Sequence, residues 1–265
     1  MLIRDNYQNF KTYQLPKAQL IIADIPYNVG NNAYGSNPSW YIDGDRKNGE
    51  SDKAGKQFFD TDNNFKPAEF MHFASQMLKK EPKEKNQAPC MIVFCAFDQQ
   101  MYLIDLAKKY GLNNYINLVF RKNFSAQVLK ANMRVVGNAE YGLILYRDKL
   151  PKFRNEGKMV MNVMDWEKDT ASPKLHPTQK PIPLLERLIK IFTDEGDVVI
   201  DPCAGSGSTL IAAENLKRKA YGFEITREMH TKASKWIEEN QTKQREIREL
   251  GYAKTELEKI NPVLF

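Results

Sequence analysis

Asp24-Ile25-Pro26-Tyr27 brings a carboxylate, rigid backbone carbonyls and an aromatic ring together within four consecutive residues. Pro26 fixes its own φ and pushes Ile25 into an extended shape, so the carbonyls there project stiffly. Acceptors of this kind beside an aromatic suit a flat ring that carries an exocyclic amino group. A strand-end turn with Tyr27 packed on the core is the other reading of the same residues. A second chemistry-bearing stretch lies far along the chain, Asp201-Pro202-Cys203-Ala204-Gly205-Ser206-Gly207-Ser208-Thr209. Glycines at 205 and 207 let backbone approach a ligand closely. Amides at the start of a following helix would point at whatever sits there. Glu224 stands about 20 residues further on, where a strand-tip carboxylate can accept hydrogen bonds from a ribose diol. Together these residues describe a site for an adenosine-bearing ligand.

The elements that would position them follow from apolar periodicity. Ala18–Ala23 reads as a buried strand delivering Asp24, and Asp197–Ile200 as a short buried strand delivering the glycine turn. In open α/β sheets ligands lie beyond the carboxyl ends of strands, which is where both stretches fall. Leu210–Leu216 then reads as a helix, giving strand, glycine turn and helix in that order. Met1–Asp5, Met91–Cys95, Ile116–Phe120 and Tyr141–Tyr146 read as further strands. Pro67–Lys80, Asp98–Tyr110, Ile182–Phe192 and the tail from Thr226 to near Leu250 read as helices. Phe124–Asn138 fits neither period. Residues 29–64 are rich in Gly, Asn, Ser and Asp, with Trp40, Tyr41, Phe58 and Phe59 interspersed; this is too long for a plain connection and predicts a flexible loop beside the site.

The 265 residues suffice for one catalytic domain spanning 1–265 with a full core, and the net charge of +6 is unevenly spread. Nine cations lie between Arg121 and Lys158, opposed by only Glu140, Asp148 and Glu156. A segregated basic block favours a polyanionic partner over mere solubility, and predicts a small nucleic-acid-recognition lobe over roughly 121–172. Cys90, Cys95 and Cys203 lie in or beside apolar strands, and His72, His176 and His230 are scattered, so neither a metal site nor a disulfide framework is expected. The sequence contains no apolar run of about 18 residues and begins without a signal-peptide shape, which predicts a cytoplasmic protein with no membrane partner.

In their order along the chain, these stretches resemble the DNA amino-methyltransferases that use S-adenosylmethionine and act on exocyclic amines. Asp24-Ile25-Pro26-Tyr27 looks like the catalytic (D/N/S)PPY signature, and Asp201–Gly207 looks like the cofactor signature, often DPFxGSG. His176-Pro177-Thr178-Gln179-Lys180-Pro181 looks like the lysine-proline segment that precedes it. Catalytic motif first, basic region next and cofactor motif last is the arrangement of the beta group. Ile25 replaces the first proline of the pair and Cys203 the usual aromatic; neither change removes a polar group the chemistry needs.

The resemblance implies a three-layer αβα Rossmann-like fold with a mostly parallel seven-stranded sheet. The strand ending in Asp5 would lie next to the one ending in Asp24, and 116–120 would pair with 141–146 to close one edge. It implies methyl transfer from S-adenosylmethionine to N6 of an adenine flipped out of DNA, in a restriction-modification setting, with a homodimer as in some relatives. N4-cytosine transfer is the nearest alternative, with Asp rather than Ser at 24 leaning toward adenine. An RNA or protein amide methyltransferase and a non-catalytic DNA-binding relative are the others. By resemblance, Asp24, Ile25, Pro26 and Tyr27 are catalytic. Asp24 also borders the cofactor, with Asp201, Cys203, Gly205, Gly207 and Thr209 on its methionine side. Glu224 falls on its ribose, Asp5 on its adenine edge, and Thr178 and Lys180 on its carboxylate. Arg121, Lys122, Arg147, Lys149, Lys152 and Arg154 are the expected DNA contacts.

Overall fold

The computed structural model of the protein describes residues 1–27, 65–123, 127–130, 135–176 and 178–260. The expected flexible loop at 29–64 lies outside the described residues. In chain order the elements are β1 (Leu2–Ile3), β2 (Leu20–Asp24), α1 (Pro67–Met77), β3 (Cys90–Cys95), α2 (Gln100–Lys109), β4 (Asn114–Lys122) and β5 (Gln127–Lys130). There follow β6 (Val135–Gly137), β7 (Ala139–Tyr146), β8 (Val163–Trp166), α3 (Ile182–Phe192), β9 (Val198–Asp201), α4 (Ser208–Asn215), β10 (Lys219–Phe223) and α5 (Arg227–Ile260).

The main sheet has eight strands in the order β1-β10-β9-β2-β3-β7-β4-β8, and β5–β6 form a separate two-stranded ribbon. Pairing is parallel from β1 through β3 and again between β4 and β8, while β7 runs antiparallel to both β3 and β4. This is the mostly parallel αβα sheet expected, with one strand more than seven. The addition is β8, in which every second residue, Met164 and Trp166, is buried. It also means that β4 and β7 pair as expected but do not form the outer edge.

One expected adjacency is corrected. β1 lies beside β10, so β10 and β9 separate it from β2. With only two residues it is held by its ends: Gly222 donates to the Met1 carbonyl and Glu224 to the Ile3 carbonyl.

Both faces of the central strands are buried, and alternation sends successive side chains to different helix layers. Ile21, Ala23, Met91, Val93 and Cys95 pack with α1, α2 and the 3-10 turn Tyr7–Tyr13. Leu20, Ile22, Cys90, Ile92 and Phe94 pack with α3, α4 and the start of α5. The second face is the one that carries Asp24, because Asp24 continues the series Leu20, Ile22.

Close packing tightens where the two halves of the site meet. A Cβ on Gly222 of β10 would stand 2.7 Å from Leu210 Cδ1, 3.0 Å from Ala204 Cβ and 3.2 Å from the Asp201 carbonyl. Gly222→Ala is therefore expected to destabilise the protein by about 1–3 kcal/mol through overpacking. Denaturant unfolding should show a lower midpoint with an unchanged slope; an unshifted midpoint would mean the glycine turn has room to relax.

Candidate active site

The topology gathers chemistry at one edge of the sheet. β2, β3, β4, β9 and β10 share a direction, so Asp24, Cys95, Lys122, Asp201 and the residue after β10, Glu224, all emerge on the same side. Antiparallel β7 adds its amino end there, with Glu140 opposite Phe120 and Gly142 opposite Phe94. The two sequence motifs come together because β2 and β9 are direct neighbours, with Leu20 opposite Val199 and Ile21 opposite Ile200.

On the face covered by α3, four side chains form a buried charge network. Lys180 reaches from the loop before α3 over the Phe94 ring, 5.1 Å from its centroid. Its Nζ lies 2.6 Å from Asp24 Oδ2 and 3.3 Å from Glu140 Oε2. Glu140 Oε1 in turn pairs with Lys122, whose ammonium stands 4.7 Å from the Trp166 ring centroid. Tyr27 Oη donates to Glu140 Oε2 at 3.2 Å and accepts from Lys180 Nζ at 3.5 Å. The two cations balance the two carboxylates. Removing one member of such a set typically costs about 3–5 kcal/mol, because a buried charge is left uncompensated.

The two carboxyls differ in proton affinity. Burial pushes Asp24 above its ordinary value, and Glu140 adds to this, while Lys180 only partly opposes it. Burial also works against the Glu140 charge, but Lys180 and Lys122 outweigh it and hold that carboxyl below its ordinary value. Lys180 is held above the usual ammonium value: burial disfavours its charge, yet Asp24 and Glu140 more than compensate. Asp24 is thus the carboxyl readier to take a proton. Among the described residues its Oδ1 atom is buried without a hydrogen-bond partner, which leaves one acceptor unused. Pro26 offers its carbonyl, which also accepts from Gln99 Nε2 at 3.0 Å, and the Ile25 amide donates to the Phe94 carbonyl at 3.3 Å.

The glycine turn forms the other half. Gly205 and Gly207 both have left-handed φ, +50° and +81°, which favours glycine at each. At Gly207 a Cβ would also meet Ile237 Cδ1 at 2.9 Å, whereas at Gly205 nothing lies closer than the Cys203 carbonyl at 3.9 Å. The turn is closed toward α5 and open at Gly205, so a ligand could lie against its backbone there. Asp201 is buried, accepts from the Cys203 amide at 2.9 Å and from the Thr209 side chain, and so staples the turn. Burial raises the Cys203 thiol well above its ordinary value, with Asp201 adding to the effect, which leaves it no role as a thiolate nucleophile. Burial also raises Glu224, whose Oε1 accepts from the Thr226 amide at 2.7 Å. A strand-tip carboxylate, an open glycine turn and a helix beginning at Ser208 fit the adenosine and amino-acid parts of S-adenosylmethionine.

A family model for the N6/N4 DNA methylases matches residues 18–235 of the chain. The chain belongs to this family. Among its relatives, the putative methylase YubD of Escherichia coli (strain K12) is 30% identical over 140 residues, 53% of this chain and 58% of that protein. The DNA adenine methyltransferase YhdJ of the same organism is 33% identical over 135 residues, 50% of this chain and 41% of that protein. The matched stretches thus span only about half the length of these curated relatives. The crystal structure of an M1.HpyAVI–SAM complex is similar in fold, with a TM-score of 0.61 at 21% identity over 89% of this chain and 98% of that one.

Not every family-matched position sits where the resemblance put it. Lys180 lies on Asp24 and Glu140 rather than standing apart for a cofactor carboxylate, its ammonium held over the Phe94 ring by the two acids. Thr178 is exposed and its hydroxyl pairs with His176 Nδ1 at 2.8 Å. Asp5 is engaged by its own turn, accepting from the Asn6 amide, Asn9 Nδ2 and Tyr13 Oη at 2.7, 2.9 and 2.6 Å.

The basic block is divided by the direction of β7. Arg121 and Lys122 stand at the site edge, Arg121 exposed and paired with Asp165. Arg147, Lys149, Lys152 and Arg154 follow β7 and fall at the opposite edge of the sheet. There Lys152 is buried against Asp194 and Asp197, and Arg154 pairs with Asp194. Arg147 donates to the carbonyls of Ser75 and Lys79, and Lys149 to that of Pro82. The structure does not bring these four to the site. Nor is 121–172 wholly a lobe, since β7 and β8 are strands of the main sheet.

Glu140, Gln99 and Phe97 join the site without any sequence signal. Phe97, 70% exposed at the end of β3, packs beside Tyr141 with ring centroids 5.3 Å apart.

The titration of Asp201 is testable. Burial pushes its carboxyl up from 3.8 to about 7. The folded protein therefore holds this proton more tightly than the unfolded chain. Its stabilising contribution is complete below 3.8 and is lost as pH rises toward about 7. Asp201→Asn keeps the acceptor for Cys203 and should flatten the fall in Tm across that window; a fall equal to that of the wild type would exclude Asp201 as its source.

Proposed function

We propose that the protein transfers a methyl group from S-adenosylmethionine to N6 of adenine in DNA. The observation that carries this reading is the buried, unpartnered Oδ1 of Asp24, held at a strand tip beside the glycine turn. S-Adenosylmethionine, when bound, supplies the methyl group on a cationic sulfur. Asp201, Gly205, Gly207, Thr209 and Glu224 would hold it, with Cys203 packed behind.

The amino nitrogen of adenine is a poor nucleophile because its lone pair is delocalised into the ring. Asp24 Oδ1 accepting one N–H and the Pro26 carbonyl accepting the other favour a tetrahedral nitrogen with a localised pair. Such fixed acceptors stabilise charge that develops on the amine only during reaction, so they act on the transition state. Tyr27 stacks on the base, which must first leave the helix. The Lys180 ammonium favours the charged form of Asp24 against the burial that opposes it. Asp at position 24 and the adenine specificity in the name of YhdJ support adenine over cytosine as the target.

On this reading DNA lies across the site edge. Arg121 would meet phosphate there, and exposed Phe97 would stack on a base next to the extruded one.

Asp24→Ala should lower kcat by about a thousandfold while leaving S-adenosylmethionine affinity, read by calorimetry, nearly intact. Retained turnover would end the mechanism, and mass identification of the modified nucleoside in digested DNA separates N6-methyladenine from N4-methylcytosine. Arg121→Glu should reduce the slope of log Kd against log salt by about one, whereas Lys149→Glu, at the far edge, should leave it unchanged. The reverse result would place DNA on the other side of the sheet.

A further inference from the structure

Methyl transfer to an amine leaves a proton to be disposed of. The nitrogen–carbon bond forms as the sulfur–carbon bond breaks, with its electron pair left on sulfur. One N–H bond then breaks, and the proton passes to the nearest base, Asp24 Oδ1. Before this step Lys180 is balanced by Asp24 at 2.6 Å and Glu140 at 3.3 Å. Afterwards Asp24 is neutral, and only Glu140 remains to compensate the buried ammonium.

The geometry points to Glu140 as a positioning residue for this reaction: as second counter-ion of Lys180 and acceptor of the Tyr27 hydroxyl, it keeps both groups in place while Asp24 takes up the proton. The inference rests on the methyltransferase reading and adds a residue outside its sequence motifs. Three observations carry it. Glu140 and Asp24 sit on the same sheet face, two strands apart, with Phe94 of the intervening β3 between them and Lys180 lying over its ring. The two oxygens of Glu140 have divided duties, Oε1 toward Lys122 and Oε2 toward Lys180 and Tyr27. The charge also closes: the network is neutral before transfer and gains one positive charge as the sulfonium loses one, so no net charge is created in the buried site.

The other titratable groups around the pair are placed differently. Among the described residues, Lys122 lies on the Oε1 side of Glu140, Cys95 and Cys203 are held as thiols, Asp201 is tied to its own turn, and His176, in the loop before α3, pairs with Thr178 and feels the Lys180 charge. None of them offers Lys180 a second carboxylate.

The test is Glu140→Gln, which keeps an acceptor for Tyr27 but removes the charge, together with the double variant E140Q/K122M, in which the buried charges stay balanced. Both should bind S-adenosylmethionine in calorimetry as the wild type does. Both should also give wild-type fluorescence with a duplex carrying 2-aminopurine at the target base, which reports capture without chemistry. Their kcat should fall, by up to about a hundredfold, and the acid limb of the pH–rate profile should move to lower pH, since the Glu140 charge no longer disfavours the Asp24 carboxylate. A double variant with wild-type kcat and an unmoved acid limb overturns the role. So does a loss of rate in the charge-balanced double variant that is matched by lost cofactor affinity or base capture, which would make Glu140 merely structural. If the wild type itself transfers no methyl to DNA, it is the proposed function that fails, and the wild-type control separates that outcome from failure of Glu140 alone.

Discussion

An ammonium buried in a protein interior needs compensating charge close at hand, and at Lys180 that need organises the whole site edge. Its head lies over the Phe94 ring and is shared by Asp24 on one strand and Glu140 two strands away. Desolvation would otherwise drive the proton off or force the side chain out. The compensation works only if β2, β3 and β7 lie side by side with those residues on one face. Sheet order, register and the course of the loop before α3 are therefore all constrained by a single cation.

The same arrangement sorts the two acids by role. Glu140, between two ammonium groups, is held below its ordinary carboxyl value, while burial and the Glu140 charge push Asp24 above its own despite Lys180. Pairs of carboxyls pushed apart in this way divide the work between a fixed charge and a reactive group. The glycine turn supplies what this half lacks: open backbone at Gly205, a helix start at Ser208 and the Glu224 carboxylate, carried on strands adjacent to Asp24.

The opposite edge of the sheet holds a second ionic cluster with a different purpose. Lys152, Arg154 and Lys79 close on Asp194 and Asp197 where the segment after β7 meets the turn between α3 and β9. Buried Lys152 donates 2.6 Å from Asp197, and the Lys152 amide donates to the Ala88 carbonyl. The cluster fastens a long connection to the sheet, which explains a concentration of positive charge without invoking a polyanion there.

Much of this protein was legible one stretch at a time. Asp24 to Tyr27, the glycine turn and Glu224 each sit at the end of an apolar run, and local spacing suffices to place a residue at a strand tip. The three-layer αβα fold was implied by the family resemblance of those motifs, taken in their order along the chain. What the order of residues could not convey was anything that depends on which strand lies beside which. Glu140 is an unremarkable acid in a polar stretch until β7 is laid antiparallel against β3, and the basic block looks continuous until that same reversal sends Arg147 to Arg154 to the far edge. Lys180 matched a motif, but its partners are 156 and 40 residues away along the chain. Local patterns fix which segments become strands and where their tips fall; pairing direction and register, set by burial across the whole sheet, decide which charges meet.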